Sequence, residues 1–204
     1  MIIQPIPKPL RFPDLNLRFF SISFLGWILG LTFFFSGSAT AQVKKEKASG
    51  FTEIKWVSLS FALKNAPKNQ RMIMIDFYTD WCGWCKVMDK KVYSQPAIIQ
   101  YLNEKYYCIK FDAEGKDTAE YKGRVYNYEP DIRVHQFAYK MLNGELGYPT
   151  TVFLNPNGDP IVPVPGYLDP PTLETLLHYY GERKHEQNIS YEDFQKAFIP
   201  TVSE

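Results

Sequence analysis

Hydrophobic positions along this chain fall into three patterns: one long apolar block, several helical stripes, and a few short unbroken apolar runs. The block comes first. Phe19 to Phe35 is almost wholly apolar and is followed directly by Ser36-Gly37-Ser38-Ala39-Thr40-Ala41. An apolar run ending in small residues is the pattern of a secretory signal, with cleavage expected after Ala41. The run is also close to the minimum length for a membrane span, so an uncleaved anchor is the alternative. Residues 42–50 read as a polar, lysine-rich linker.

Beyond the linker the stripes and runs alternate. Leu59, Ala62, Leu63 and Ala66 share one helical face behind a capping Ser58, and Pro67 is expected to end that helix. Met72 to Tyr78 is an apolar run of strand length, as for a parallel strand buried on both faces. A helix opened by Cys82 continues through Met88 and Val92, and Ser94-Gln95-Pro96 restarts a second one to about Asn103. Tyr106 to Asp112 reads as the next strand, with Cys108 and Lys110 on one face by the strand period of two.

An insertion is expected at about 115–144. It holds a hairpin over Ala119 to Tyr126 that turns near Lys122-Gly123. A helix marked by Val134, Phe137, Ala138 and Met141 follows and stops at Asn143-Gly144. Tyr121, Tyr126 and Tyr128 in this insertion either contact a substrate or cover the domain's own flank. Thr150 to Leu154 is a further strand, and Asn155 to Gly158 a turn. Ile161 to Val164, set among prolines, reads as an edge strand. Asp169-Pro170 starts a helix that Gly181 ends, with Leu173, Leu176, Leu177 and Tyr180 inward, and Ser190 caps a last helix carrying Tyr191, Phe194 and Phe198. The order is that of an α/β protein. The division expected is signal 1–41, linker 42–50, one domain over 51–183, and a helical extension over 184–204.

Composition changes this picture little. Of 204 residues, 163 follow position 41, enough for one well-cored domain. Without the leader's three basic and one acidic residue, 20 basic groups face 21 acidic ones, so charge gives no case for a nucleic-acid partner. The chain has no glycine-rich phosphate loop and no Ser-His-Asp constellation, and no cofactor is expected.

The chemistry is concentrated in Trp81-Cys82-Gly83-Trp84-Cys85-Lys86, a Cys-x-x-Cys that opens a helix just after an apolar strand. A thiol in the first helical turn is acidified by the dipole and the free N–H groups, so Cys82 is the candidate nucleophile. Cys85, one turn on, can resolve a mixed disulfide. An inert disulfide and half of a zinc site are the other readings. Zinc needs two further ligands, and Cys108, His135, His178 and His185 show no paired spacing. Cys108 is expected to be a buried, inert thiol, with pairing to a partner as the alternative.

Further residues turn the motif into a family resemblance. Asp76 lies six positions before Cys82 inside an apolar strand, Lys110 lies in the next strand, and Tyr148-Pro149-Thr150 opens a third. Together with Cys82 and Cys85 they resemble the thioredoxin superfamily from about Trp56 to Gly181. Within it the chain is most similar to secreted bacterial thioredoxin-like proteins, including the soluble thiol domain of disulfide-interchange proteins. It differs from ordinary thioredoxin in carrying Trp84 where proline is usual. The resemblance implies a central mixed sheet flanked by helices, with the dithiol at one end. It further implies that Asp76 accepts the Cys85 proton, that Lys110 pairs with Asp76, and that Pro149 is cis and faces the dithiol.

Trp81, Trp84, Tyr148 and Pro149 are the expected substrate contacts. The expected activity is reduction or isomerisation of protein or peptide disulfides in an exported, periplasmic compartment, with electrons from a membrane thiol donor. With no histidine between the cysteines, the potential is expected at about −200 to −270 mV, away from the strongly oxidising end of the range. An oxidase of the same fold, or a binding or chaperone-like module with a structural dithiol, are the alternatives.

Overall fold

A computed structural model describes residues 50–203. The signal and all but the last residue of the linker lie outside the described residues. Among those described, no helix is long and apolar enough to cross a membrane.

Ser58 caps the first helix, α1 (Leu59–Asn69), by accepting from the Phe61 N–H. Pro67 does not end this helix, contrary to the pattern reading. It sits in the last turn, where its missing N–H costs a single bond, and α1 closes instead at left-handed Gln70, whose N–H donates to Ala66. Strand β1 (Met72–Tyr78) leads to α2 (Gly83–Lys91). Helix α3 (Pro96–Lys105) runs directly into β2 (Tyr106–Asp112).

The insertion contains the expected hairpin, β3 (Ala119–Tyr121) and β4 (Arg124–Tyr126). Lys122 and Gly123 both have positive φ, the requirement of a two-residue turn whose twist matches the strands. A second short ladder follows, β5 (Tyr128–Glu129) with β6 (Val134–His135), which the pattern did not suggest. Val134 therefore belongs to a strand, where its side chain is buried, and His135 caps the helix α4 (Gln136–Met141). The chain continues with β7 (Thr150–Leu154), β8 (Pro160–Pro165), α5 (Pro170–Gly181), a 3-10 turn over Lys184–Gln187, and α6 (Tyr191–Ala197).

The main sheet has the order β2-β1-β7-β8, with β1 parallel to β2 and every other pair antiparallel. Strand alternation splits β1 between two cores. Met72 and Met74 face α2, α3 and α5 with Met88, Leu102, Cys108, Phe153 and Leu173. Ile73, Ile75 and Phe77 face α1 and the insertion with Ala62, Ala66, Ile109, Val152 and Phe137. Asp76, next in the Met72–Met74 series, is thus carried into an apolar layer by the period of the strand.

Both borders of the sheet are blunted. Prolines 160, 163 and 165 stud β8. Beside β2, Trp56 bridges Cys108, the Val57 N–H donates to the Cys108 carbonyl at 2.8 Å, and Asn103 holds the Lys55 N–H and the Glu53 carbonyl, each at 2.8 Å.

Candidate active site

The chain leaves β1 at Tyr78 and turns through Thr79, whose carbonyl accepts from the Cys82 N–H at 3.1 Å. Cys82 caps α2, its sulfur accepting from the Cys85 N–H at 3.1 Å. Cys82 and Cys85 are joined as a disulfide with Cα atoms 5.4 Å apart. A sulfur held against free N–H groups at a helix start is placed where negative charge is stabilised. Cys82 and Cys85 are 3% and 4% exposed, whereas Trp81 and Trp84 beside them are 67% and 61% exposed. The bulky indoles stand out from the surface and the sulfurs lie beneath their rim.

The carboxyl of Asp76 is buried on β1, the strand that leads into the Cys-x-x-Cys helix. It is opposite Lys110 in the β1–β2 register and opposite Thr151 in the β1–β7 register. Lys110 Nζ is 3.4 Å from Asp76 Oδ2 but in closer contact with Asp89 of α2, and it lies over the rings of Trp56, Tyr78 and Tyr93 at 5.2–5.6 Å. The cation is shared, so it neutralises Asp76 only in part. Asp76 Oδ1 has no hydrogen-bond partner, nor do the buried Tyr93 and Thr151 hydroxyls. Burial raises the Asp76 pKa to about 6 against the pull of Lys110, and the Asp89 charge adds to the rise. A carboxyl titrating near neutrality can both take up and release a proton at physiological pH.

Asp89 was not anticipated. Its spacing of four from Cys85 puts both residues on one face of α2, and that was the available signal. Glu114, just beyond β2, accepts from Trp81 Nε1 at 3.1 Å and holds that indole. The Trp81 ring meets Tyr148 edge-on at 6.1 Å, and Trp84 lies 5.3 Å from the ring of Tyr167. Neither Glu114 nor Tyr167 carries a sequence signal, because both reach the site from distant segments. The Tyr148–Pro149 peptide bond is cis. The Pro149 carbonyl is already occupied by the Gly166 N–H at 2.8 Å, whereas the backbone groups of Tyr148 are unbonded among the described residues.

Other candidates lie elsewhere. Cys108 is free and buried on the Asp76 face, and burial pushes its thiol pKa far up, so it carries no thiolate at neutral pH. Tyr121 and Tyr126 are buried against Phe137, and the Tyr121 hydroxyl donates to the Gly158 carbonyl at 2.7 Å. These two rings cover the domain's own flank. Tyr128 is half-buried. His135 is fully used, Nδ1 accepting from the Phe137 N–H and Nε2 facing the Asp117 carbonyl at 2.8 Å. His178 and His185 lie by Glu182 and Glu186. No group of three or more metal-ligating side chains is gathered among the described residues.

Fold and site define an α/β protein with a Cys-x-x-Cys pair at the head of a helix and a buried carboxyl on the strand that precedes it. The model of the thioredoxin-like domain family matches residues 59–181, more than half of the chain, and the protein belongs to that family. It is similar to the thiol:disulfide interchange protein DsbD of Salmonella choleraesuis, 31% identical over 146 residues that make up 70% of this chain and 22% of that one. The DsbD of Pseudomonas fluorescens is 36% identical over 55 residues, 26% of this chain and 9% of that protein. The chain thus spans less than a quarter of the length of these relatives. Among solved structures, a thioredoxin from Thermus thermophilus superposes with a TM-score of 0.47 at 20% identity, covering 67% of this chain and 99% of that one.

Proposed function

We propose that the protein is a thiol-disulfide oxidoreductase that reduces or isomerises protein disulfides in an exported compartment. The observation that carries this reading is the Cys82–Cys85 pair at the start of α2, with Asp76 buried on the preceding strand and its pKa of about 6 suited to proton exchange. In the reduced protein the Cys82 thiolate attacks one sulfur of a client disulfide. The client's S–S bond breaks, its second sulfur leaves as a thiolate, and Cys82 is joined to the client. Asp76 takes the Cys85 proton, directly or through water, and the Cys85 thiolate attacks the Cys82 sulfur. The client leaves as a dithiol after taking up two protons, two electrons have passed to it, and the protein is left as the Cys82–Cys85 disulfide. A dithiol donor must return those electrons, and in an oxidising compartment a membrane thiol protein is the donor that fits.

Trp81, Trp84 and Tyr148 form the docking rim. The free backbone groups of Tyr148 support addition of an extended client strand beside Pro149. Lys110 holds Asp76 in place and tunes it. The deciding experiment is a redox titration of the pair against glutathione, with turnover of a peptide disulfide by wild type, Cys82→Ser and Cys85→Ser. The reading expects a potential of about −200 to −270 mV, no turnover in the Cys82 variant, and a trapped mixed disulfide in the Cys85 variant. A potential near about −120 mV would make the protein an oxidant. A pair that never cycles, with client binding retained in the double serine variant, would make it a binding module.

A further inference from the structure

Beyond the rim, a cleft of about 630 Å³ is lined by Lys90, Lys91, Ser94, Gln95, Tyr167, Asp169 and Pro170. It adjoins the rim at Tyr167, which lines the cleft and whose ring lies 5.3 Å from that of Trp84. Lys90 and Lys91 are both exposed, and neither is in an ion pair among the described residues. Three other polar side chains of the cleft are engaged. Ser94 and Gln95 donate to the Lys90 and Lys91 carbonyls at 2.6 and 3.1 Å, and Asp169 accepts from the Thr172 N–H at 2.8 Å. The C-terminal end of α2 and the N-terminal end of α5 both border the cleft, so their dipole ends offset and two ammonium groups against one carboxylate set a positive sign. The opposite wing is acidic, with Glu114 on Trp81 and both Glu114 and Asp112 acting on Tyr148.

We infer that this cleft is a subsite for an acidic side chain of the client polypeptide, and that it selects and orients clients. The inference rests on the proposed disulfide exchange. Along α2 the step from Cys82 to Lys90 is about 12 Å, which an extended client chain covers in about four residues. The preferred client therefore carries Asp or Glu about three or four residues from the cysteine that joins Cys82, on the Trp84 side, while a basic residue there is repelled.

Three disulfide peptides that differ only at that position, with Glu-Glu, Gln-Gln or Lys-Lys, test this. Their turnover is measured with wild type, Lys90→Gln/Lys91→Gln and Lys90→Glu/Lys91→Glu. Binding of matched peptides with serine for cysteine is followed by Trp fluorescence. Each exposed ion pair is worth about fivefold at most, so wild type should prefer Glu-Glu over Gln-Gln by about three- to tenfold in KM and in Kd, with kcat unchanged. The preference should vanish in the Gln variant, reverse in the Glu variant, and shrink in salt on the scale of a Debye length of about 8 Å. Equal KM and Kd for the three peptides, or a preference that survives charge reversal, overturns the inference. If no peptide is reduced yet the serine peptides bind with the expected order, disulfide exchange fails and the acidic subsite stands.

Discussion

Replacing Asp76 by asparagine removes a buried negative charge while keeping the shape of the side chain, and its effect on stability follows from the surroundings of Asp76. The carboxyl is buried, one oxygen is unpartnered, and its nearest cation is shared with Asp89. Burial therefore outweighs attraction, and the pKa stands at about 6 against 3.8 for the free group. That difference corresponds to about 3 kcal/mol against the ionised form. Because the folded pKa is the higher one, the Asp76 contribution is fully present below about 3.8 and is lost as pH rises through about 6. Asp76→Asn should be more stable than wild type by up to about 3 kcal/mol at pH 8, and the gain should fade towards pH 4. The assay is urea unfolding of the disulfide form, in which Cys82 and Cys85 do not titrate, at half-unit steps from pH 4 to 8. With a slope of about 2 kcal/mol/M the midpoint at pH 8 should move up by as much as about 1.5 M. Taking the difference between the two proteins cancels His135 and His185. A flat difference, or a variant less stable at pH 8, would mean that Lys110 holds Asp76 ionised, and would refute both the burial argument and the proton-exchange role built on it.

Asp89→Asn should release Lys110 towards Asp76 and remove a repelling charge, lowering the pH midpoint of the Cys85 resolving step; stopped-flow decay of the mixed disulfide across pH reads this directly. Phe137→Ala should cost about 3–5 kcal/mol, because its buried ring joins Phe77 and Phe111 of the sheet to Tyr121 and Tyr126 of the insertion; chemical unfolding measures it, and a loss below 1 kcal/mol would show that the insertion packs independently. The buried Glu174 of α5 accepts from the Thr201 N–H, the Thr201 hydroxyl and the Val202 N–H at 2.5–3.0 Å. Glu174→Ala should cost about 1–3 kcal/mol and expose the C-terminal tail to protease, with turnover of disulfide peptides unchanged.

The strands β1, β2 and β7 were legible to the residue because each is a short run rich in apolar, aromatic and β-branched residues, bounded by polar or turn residues. Asp76 stood out as a charge inside such a run. Cys82 and Cys85 were legible from spacing and from the helix that follows. What pattern reading missed depends on neighbours far apart in sequence. Val134 carries the helical stripe onward, yet it pairs with Glu129 because its backbone meets another strand there. Pro67 looked like a stop, although a proline in a final turn removes one bond and no more. The sharing of Lys110 between Asp76 and Asp89 requires α2 to lie over β2, and Glu114 and Tyr167 reach the rim through loops that no local period describes.

If the protein exchanges disulfides as proposed, the blunted borders of its sheet bear on how it would withstand its own clients. Chains with unformed or wrong disulfides expose β-prone segments, which seek any open strand to extend. Here one margin offers prolines that cannot donate, and the other is already bordered by the segment around Trp56 and Val57. On the proposed reading, an adhesive client would find little to grow upon along the flanks and would be engaged at the tryptophan rim, where contact would end once the sulfur exchange is complete.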